Sequence, residues 1–294
     1  MATTNTIGTS TLSGVNRIKF LQNTMQEILK VALVAEAVCT VDRSDSKYIV
    51  NPYGSEPTAL VQAVAGTYSP SAFTTTDDNP TVTDEFIYGE QIKGYEEVFS
   101  RFDLYAARVE QMSYAVARAL DKWVLNNLLE TGTGTYTTPA GGFTTAGNLV
   151  TILGALISRV AGYAEVYKGL YLVVENTDLA GMIPAMANNG FSMSDAALKN
   201  GFMNSYMGVD IYVVRAATFD DQAANSVSGS TTWTNLNHRL FGVKGVSTYA
   251  SPRGINVEEK GITAVTGKEV AVWGLCGFRA WNNRLALTID ITLA

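Results

Sequence analysis

The chain has 294 residues, of which 47% are hydrophobic and only 16% are charged, against a typical charged fraction of about 25%. This length and hydrophobic content suffice for one or two sizeable cores, and the low charge predicts that part of the surface is buried against partners. The formal net charge is −6 and the 21 Lys and Arg residues are scattered, which argues against a protein that binds nucleic acid through a basic stripe.

The first residues predict an extended arm. Residues 1–13 are rich in Thr and Ser, and they lack the large apolar side chains that would let them fold alone. They also lack the basic start and apolar core of a signal peptide. No apolar stretch of the chain approaches the roughly 20 residues of a transmembrane helix. We therefore expect a soluble chain that is made inside a cell and has no contact with membranes.

Helical periodicity follows the arm. Over residues 14–39, apolar side chains recur at spacings of three and four, as on one face of an amphipathic helix. Ser13 and Asn16 are candidate caps for it. The pattern suits an ordinary core helix and a helix of a functional terminal arm equally well.

Residues 44–92 differ in character, because Pro and Gly separate short runs rich in Thr, Tyr, Val and Phe. This composition predicts a long two-stranded excursion with a polar, Asp-rich tip near residues 77–79. A hairpin of this length is marginal alone and needs another surface to pack on. The β-like runs cover residues 59–65, 73–76 and 81–88.

The longest predicted helix covers residues 95–131. Apolar side chains, among them Phe102, Val116 and Trp123, repeat every three to five positions, and neither Pro nor Gly interrupts the pattern before Gly132. A helix of about thirty residues is ~45 Å long, well beyond the average of about 11–12 residues. We expect it to span a whole domain as a brace.

Glycines and a proline over residues 132–142 mark the clearest candidate domain boundary. The pattern beyond it predicts a mixed α/β segment with buried strands and flanking helices. Helices are predicted at residues 149–160 and 176–186, the second with Asp178 near its cap, and strands at residues 169–174 and 209–215.

The last part of the chain returns to β structure. Strict alternation of apolar and polar side chains over residues 286–293 is the strongest strand signal there. Further strands are predicted at residues 239–249, 255–258 and 269–273.

No constellation of residues predicts catalysis or ligand binding. His238 is the single histidine, which argues against multi-histidine metal sites, and no G-x-S-x-G motif precedes it, so we expect it on the surface or in a loop. Gly132-Thr-Gly134 lacks the third glycine of a phosphate loop and follows a helix, so we interpret it as a linker. The two cysteines, Cys39 and Cys276, are expected to be buried free thiols. We predict no catalytic, cofactor-binding or metal-binding residue.

Several acidic residues are adjacent in sequence. Neighbouring side chains point in different directions along a strand or a helix, so such pairs suit solvated surfaces or ion pairs between subunits better than acid–base catalysis. The pairs lie at residues 77/78, 84/85, 96/97, 220/221 and 258/259.

The order of these elements resembles the tailed-bacteriophage major capsid proteins with the Hong Kong 97-type coat fold. The long helix, YEEVFSRFDLYAARVEQMSYAVARALDKWVLNNLL at residues 95–129, is similar to the spine helix of that family, and residues 44–92 resemble its extended loop. Residues 169–186 and 209–215 resemble core strands of the axial domain. Residues 240–246 (LFGVKGV) and 273–289 resemble the closing strands of the peripheral domain.

The resemblance implies an α+β fold in five segments. They are an N-terminal arm with an amphipathic helix at residues 1–43, an extended β loop at 44–92, a peripheral domain with the spine helix at 93–142, an axial α/β domain at 143–238, and a return to peripheral-domain strands at 239–294.

The resemblance also implies a function without enzymatic activity or cofactors. The chain is expected to self-assemble into hexamers and pentamers of an icosahedral head that encloses double-stranded DNA through weak, non-specific contacts. Expected partners are further copies of the chain, a scaffolding protein, a portal and a decoration protein. The expected location is the virion, after assembly in the host cell cytoplasm.

Three alternatives remain open from the residues. One is an encapsulin-like shell protein of a bacterial nanocompartment, which has the same fold. Another is a soluble α/β enzyme with its active domain at residues 143–238, against which the missing polar constellation argues. The third is a minor structural virion protein, such as a decoration or tail component, whose usual all-β pattern does not fit the long helix.

Overall fold

The computed structural model describes residues 33–44, 66, 82, 84–93, 104–145, 147–188, 202–216, 218–219, 237–252, 255–261 and 267–294. These residues form a mixed α+β fold. The helices within them are α1 (Val34–Val38), α2 (Leu104–Thr131), α3 (Asn148–Val160) and α4 (Leu179–Asn188). The strands are β1 (Thr40–Asp42), β2 (Asp84–Lys93), β3 (Gly134–Thr137), β4 (Leu170–Glu175), β5 (Phe202–Tyr206), β6 (Val209–Val214), β7 (His238–Val243), β8 (Ser247–Ala250), β9 (Ile255–Gly261), β10 (Gly267–Ala280) and β11 (Thr288–Thr292).

A six-stranded mixed sheet has the strand order β3-β11-β7-β4-β6-β5. Its central strand β4 runs parallel to β6 and antiparallel to β7. Every residue of β4 and of β7 is buried, so both faces of the sheet are covered. This double coverage explains why these strands are continuous apolar runs without an exposed polar face.

The six-stranded sheet separates two hydrophobic cores. On one face, Tyr171 and Val173 of β4 join a core that α2 supplies with Val124, Leu125 and Leu128. On the other face, alternate residues of the same strand join a core built with α3 and α4. The period-two alternation of β4 thus divides its apolar side chains between two layers of helices. The second core includes Leu149, Ile152, Leu156, Leu170, Leu172, Val174, Met182 and Met186.

A five-stranded sheet is built around β10, a strand of 14 residues. Over most of its length β10 pairs antiparallel with β2 and β9, and its last residues pair with β8, which pairs in turn with β1. Val270 and Val272 of β10 and Val257 of β9 pack into the same core as α2. The long helix α2 therefore lies between the two sheets and packs on both, as predicted for a helix that spans a domain.

Most element predictions are confirmed where the structure describes the chain. The predicted helix at residues 95–131 is α2 from Leu104 onward, with 28 residues and a length of ~42 Å. The predicted elements at residues 149–160, 169–174, 176–186 and 209–215 correspond to α3, β4, α4 and β6. Asp178 lies in a 3-10 turn before α4 and forms a capping box with Glu175.

Three predictions about strands need correction. Residues 239–249 are not one strand, because Gly245 has a φ of 69° and turns the chain from β7 in one sheet to β8 in the other. The strand predicted at residues 269–273 extends over the whole of β10, since pairing partners continue along its length. The last strand begins only at Thr288, after a 3-10 turn at Asn282–Leu287.

In its described part, the amino-terminal helix prediction is confirmed only over residues 34–38. Leu33 has an extended backbone (φ −86°, ψ 110°), and a separate short helix, α1, begins at Val34. Residues 14–32 lie outside the described residues, as do the predicted arm at residues 1–13 and the β-like runs at 59–65 and 73–76. The run predicted at residues 81–88 corresponds to β2, which begins at Asp84. None of the described helices is long and apolar enough to cross a membrane.

Candidate functional site

One face of the five-stranded sheet packs on α2, and the opposite face is exposed; we call the exposed one the outer face. The inner face is fixed by an edge-to-face contact between Phe86 and Trp123, whose ring centroids lie 5.8 Å apart at 81°. An ion pair between Glu90 of β2 and Arg108 of α2 adds a second attachment. The two contacts hold β2 against the long helix, so the outer face is presented by a rigid support.

Apolar side chains are concentrated on the outer face. Ile87 of β2 is 71% exposed and lies opposite Trp273 of β10, which is half-buried. Leu275, two residues along the same strand, is 38% exposed. Side chains two apart on a strand, and those opposite on its neighbour, share one face of a sheet. The three side chains therefore form one apolar surface, which we call the outer patch.

Carboxylates surround the outer patch. Glu85 lies opposite Leu275, and Glu258 of β9 lies opposite Ala271 on the same face; both are exposed. Glu269 of β10 is half-exposed two residues from Ala271. An apolar centre with a charged rim is the usual anatomy of a protein–protein contact surface.

The chain leaves this sheet at Asp42 and returns to it at Asp84. Asp42 pairs with Ala250, Ala250 pairs with Gly277, and the preceding Cys276 pairs with Asp84. At about 5 Å per pairing, the two ends lie on the order of 15–20 Å apart. About forty residues thus start and finish close together on one sheet, which is the geometry expected for an excursion from the subunit body.

A buried charged cluster lies at the end of β4. The guanidinium of Arg239 donates to both carboxylate oxygens of Asp178, with the Nη2–Oδ1 distance at 3.2 Å, and its Nη2 lies 3.4 Å from Oε2 of Glu175. Glu175 also accepts backbone N–H groups from Thr218 and Phe219 at 3.0 and 3.3 Å. The cluster therefore fastens the 218–219 segment to the sheet.

The chemistry of this cluster is structural. All three charged side chains are no more than about one-twentieth exposed, so no substrate reaches them from solvent. A buried ion pair in this setting fixes a single arrangement of the strands it joins, at a desolvation cost that its hydrogen bonds offset.

His238 is buried in β7, so the prediction of a surface or loop histidine is wrong. Its Nδ1 lies 2.8 Å from Oδ1 of Asp290 on the neighbouring strand β11. The residue is 7% exposed and its strand pairs with β11, so the ring lies within the sheet and not in a loop. The sequence carried no signal for this pair, since Asp290 occupies a polar position of the alternating last strand and His238 lies 52 residues away.

The other residues that the sequence analysis considered have structural roles. Gly134 opens β3, which pairs in parallel with β11, so the interpretation of Gly132-Thr-Gly134 as a linker is wrong. A Cβ at Gly134 would approach within 2.7 Å of Ile289, which explains the need for glycine there. Cys39 and Cys276 are buried free thiols, as predicted. Burial raises the pKa of the Cys39 thiol to about 12, and it raises that of Cys276 as well.

The acidic pairs that lie in the described residues are on β2 and β9. Glu258 is exposed and its neighbour Glu259 is half-buried, which fits the alternation of a strand. The pairs at residues 77/78, 96/97 and 220/221 lie outside the described residues. Within the described part of the chain, no group of three His, Cys, Asp or Glu side chains is arranged to hold a metal ion.

No family model matches the sequence, and a search of curated proteins finds no match to it. Solved structures, by contrast, match nearly the whole chain. The capsid of cyanophage P-SCSP1u matches with a TM-score of 0.64 at 15% identity, over 90% of this chain and 89% of that chain. The head structure of Helicobacter pylori bacteriophage KHP40 matches with a TM-score of 0.61 at 10% identity, over 86% of each chain.

A third match is the virus-like particle from Pyrococcus furiosus, with a TM-score of 0.60 at 8% identity, over 94% of this chain and 99% of that chain. Sequence identities of 8–15% are too low to compare individual residues between these proteins and this chain. The structural matches nevertheless cover most of each chain, so they define the fold. The resemblance drawn from the order of the sequence elements is thus confirmed at the level of the fold, and the chain has the Hong Kong 97-type coat fold of phage capsid proteins.

Proposed function

We propose that the chain is a major capsid protein, which self-assembles into the hexamers and pentamers of an icosahedral head shell around double-stranded DNA. The outer patch of Ile87, Trp273 and Leu275 is the observation that carries this proposal. A rigid subunit body that presents an apolar surface with an acidic rim needs a protein partner to cover it. The coat fold supports further copies of the same chain as that partner.

The proposed mechanism of assembly starts from the two hydrophobic cores, which make the subunit rigid. The cores on both sides of the six-stranded sheet keep each subunit the same shape, so identical contacts repeat around a ring and closed rings form. Asp42 and Asp84 lie on one sheet, and the proposal is that the residues between them extend the contacts of a subunit to its neighbours. Many weak contacts of this kind add up to a stable shell through avidity.

The same proposal includes no enzymatic role. The buried clusters around Arg239 and His238 join strands, and they support a structural protein. A net charge of −6 fits a wall that contacts DNA weakly, so that the polymer can be packed without being held. A scaffolding protein, a portal and a decoration protein are the proposed partners besides the chain itself. The virion is the proposed location, after assembly in the host cytoplasm.

An encapsulin-like shell protein of a bacterial nanocompartment is the second candidate. The match to the virus-like particle from Pyrococcus furiosus over 99% of that chain supports it, because a virus-like particle is also a protein shell. The two candidates share the assembly of closed shells and differ in the need for other gene products.

The test is expression of the chain alone and together with a phage scaffolding protein, followed by analytical ultracentrifugation and negative-stain microscopy. Capsomer rings alone and closed shells with scaffold support the capsid proposal. Uniform closed shells that enclose a host protein without any scaffold support the nanocompartment. Monodisperse monomers under both conditions, at concentrations up to the millimolar range, contradict both.

A further inference from the structure

Asp121 joins the amino-terminal part of the chain to the long helix. Its side chain projects from the middle of α2, is only 8% exposed, and accepts two backbone N–H groups from the first turn of α1. Oδ1 accepts from Ala35 at 2.8 Å and Oδ2 accepts from Val34 at 3.1 Å. Leu33, which precedes α1, offers no side-chain cap, so a carboxylate more than eighty residues away satisfies these N–H groups.

No described Lys or Arg forms an ion pair with Asp121, and its surroundings are apolar or acidic. Glu36 faces it from α1, the Cys39 thiol from the end of α1, and the Tyr249 phenol from β8. The nearby cation Arg43 pairs with Glu36. The two backbone N–H groups are therefore the partners that offset the burial of the carboxylate.

Burial, with a smaller contribution from the Glu36 charge, raises the pKa of Asp121 to about 7, because together they outweigh the two hydrogen bonds. When α1 leaves α2, the carboxyl group meets water and its pKa returns toward the ordinary value of about 3.9. Docking of α1 is then strongest below pH ~4 and weakens as the pH rises through about 7. The docking equilibrium changes by up to about tenfold per pH unit within that window.

We propose that Asp121 is a proton-controlled latch for the amino-terminal segment. Uptake of a proton by its carboxylate tightens the docking of α1 on α2, and release of the proton loosens it. The inference concerns the single chain and goes beyond the proposed shell function, because it requires no assembly. The segment that the latch holds is residues 33–38, which the structure describes.

The two cysteines allow detachment of α1 to be distinguished from global unfolding by thiol labelling. Cys39 directly follows α1, its N–H donates to the Ala35 carbonyl at 3.0 Å, and its thiol is 7% exposed. Cys276 lies in β10 and is 1% exposed. Opening of the latch exposes Cys39 alone, whereas global unfolding exposes both thiols. Labelling with 4,4′-dithiodipyridine, which reacts with thiols below pH 7, and mass spectrometry of the peptides separate the two events.

The experiment compares the full chain with its Asp121→Asn variant, which keeps the size of the side chain and one acceptor oxygen but does not titrate. The ratio of wild-type to variant labelling at Cys39 cancels the intrinsic pH dependence of the reagent. We expect this ratio to rise roughly 5- to 25-fold from pH 5.5 to pH 7.5, while Cys276 labelling stays low. A ratio that does not change with pH, or parallel labelling of both cysteines, overturns the proposal.

Glu36→Gln is the second variant, and it keeps the test decisive if Asp121→Asn fails to fold. Removal of the Glu36 charge lowers the pKa of Asp121, so Cys39 labelling relative to wild type should fall at pH 7.5 and agree at pH 5.5. Cys39 labelling in Glu36→Gln that rises from pH 5.5 to pH 7.5 no more than that of an exposed thiol contradicts the latch, because Asp121 stays buried and titratable in this variant.

Discussion

Replacement of Ile87 by serine tests the outer patch directly. Burial of a whole Ile side chain stabilises a contact by about 1.5–3 kcal/mol. Ile87 is 71% exposed in the single chain, so ~1–2 kcal/mol remains available when a second subunit covers it. Because about 1.4 kcal/mol corresponds to a tenfold change in an equilibrium constant, Ile87→Ser should weaken the contact about 5- to 30-fold.

The assay is the lowest protein concentration at which shells or rings form, measured by light scattering and sedimentation velocity. We expect this concentration to rise by the same factor in Ile87→Ser, because each subunit contributes one outer patch. Gln91→Ser is the matched control, since Gln91 lies on the same strand and the same face but is already polar and exposed. It should assemble like the wild type.

Stability of the subunit must be measured beside assembly. Surface substitutions usually change the free energy of unfolding by less than ~0.5 kcal/mol, so urea unfolding should be nearly the same for the wild type and both variants. An unchanged assembly threshold in Ile87→Ser, with unfolding also unchanged, refutes the reasoning that the outer patch is covered by another copy.

Three further predictions concern the body and the excursion. Gly242→Ala should lower the free energy of unfolding by about 1–3 kcal/mol, because the new Cβ would approach Tyr171 Oη within 2.8 Å. Its control, Gly154→Ala on the open face of α3, should raise the free energy of unfolding by ~0.5–1 kcal/mol. Equal effects of the two substitutions in urea unfolding would contradict this reasoning. Arg239→Met should lower the free energy of unfolding by ~3–5 kcal/mol in the same assay, because Asp178 and Glu175 lose their buried cation. Arg43→Met should lower it by at most ~1 kcal/mol, because the ion pair of Arg43 with Glu36 is half-exposed. Similar losses in the two variants would show that burial does not decide the effect. Residues 46–81 can be replaced by a Gly-Ser linker of about eight residues, which is long enough to span 15–20 Å. This variant should keep the circular dichroism spectrum and the unfolding curve of the wild type but form no closed shells in microscopy. Normal shells would refute a role of residues 46–81 in assembly.

The sequence predicted those elements whose periodicity is strong and local. The 3.6-residue repeat of α2 and the continuous apolar runs of β4 and β6 reflect surfaces that are buried in any compact arrangement, so they can be read without knowing the partner elements. Their order was enough to indicate the coat fold. The five domain boundaries remain predictions, since nothing in the described residues tests them.

The alternation in the last strand shows where such reading fails. Residues 286–293 indicated a strand with one polar face, yet Thr288 and Asp290 are also buried, with exposures of 2% and 9%. Period two records which side chains share a face, and it does not record whether the polar face meets solvent or the body of the protein. The pairing of Asp290 with His238 depends on β7, which is far away in sequence.

The outer patch and the Asp121 latch were decided by tertiary structure alone. Ile87 looks like any strand residue until the register against Trp273 places both on the exposed face. Asp121 looks like a solvated residue of an amphipathic helix until α1 docks over it. The sequence by itself determined most of the elements and their order, because these depend on local pattern and residue type, and the prediction of no catalytic residue rests on the same kind of evidence. Burial, register and long-range capping are properties of pairs of distant segments, so only the folded chain could determine them.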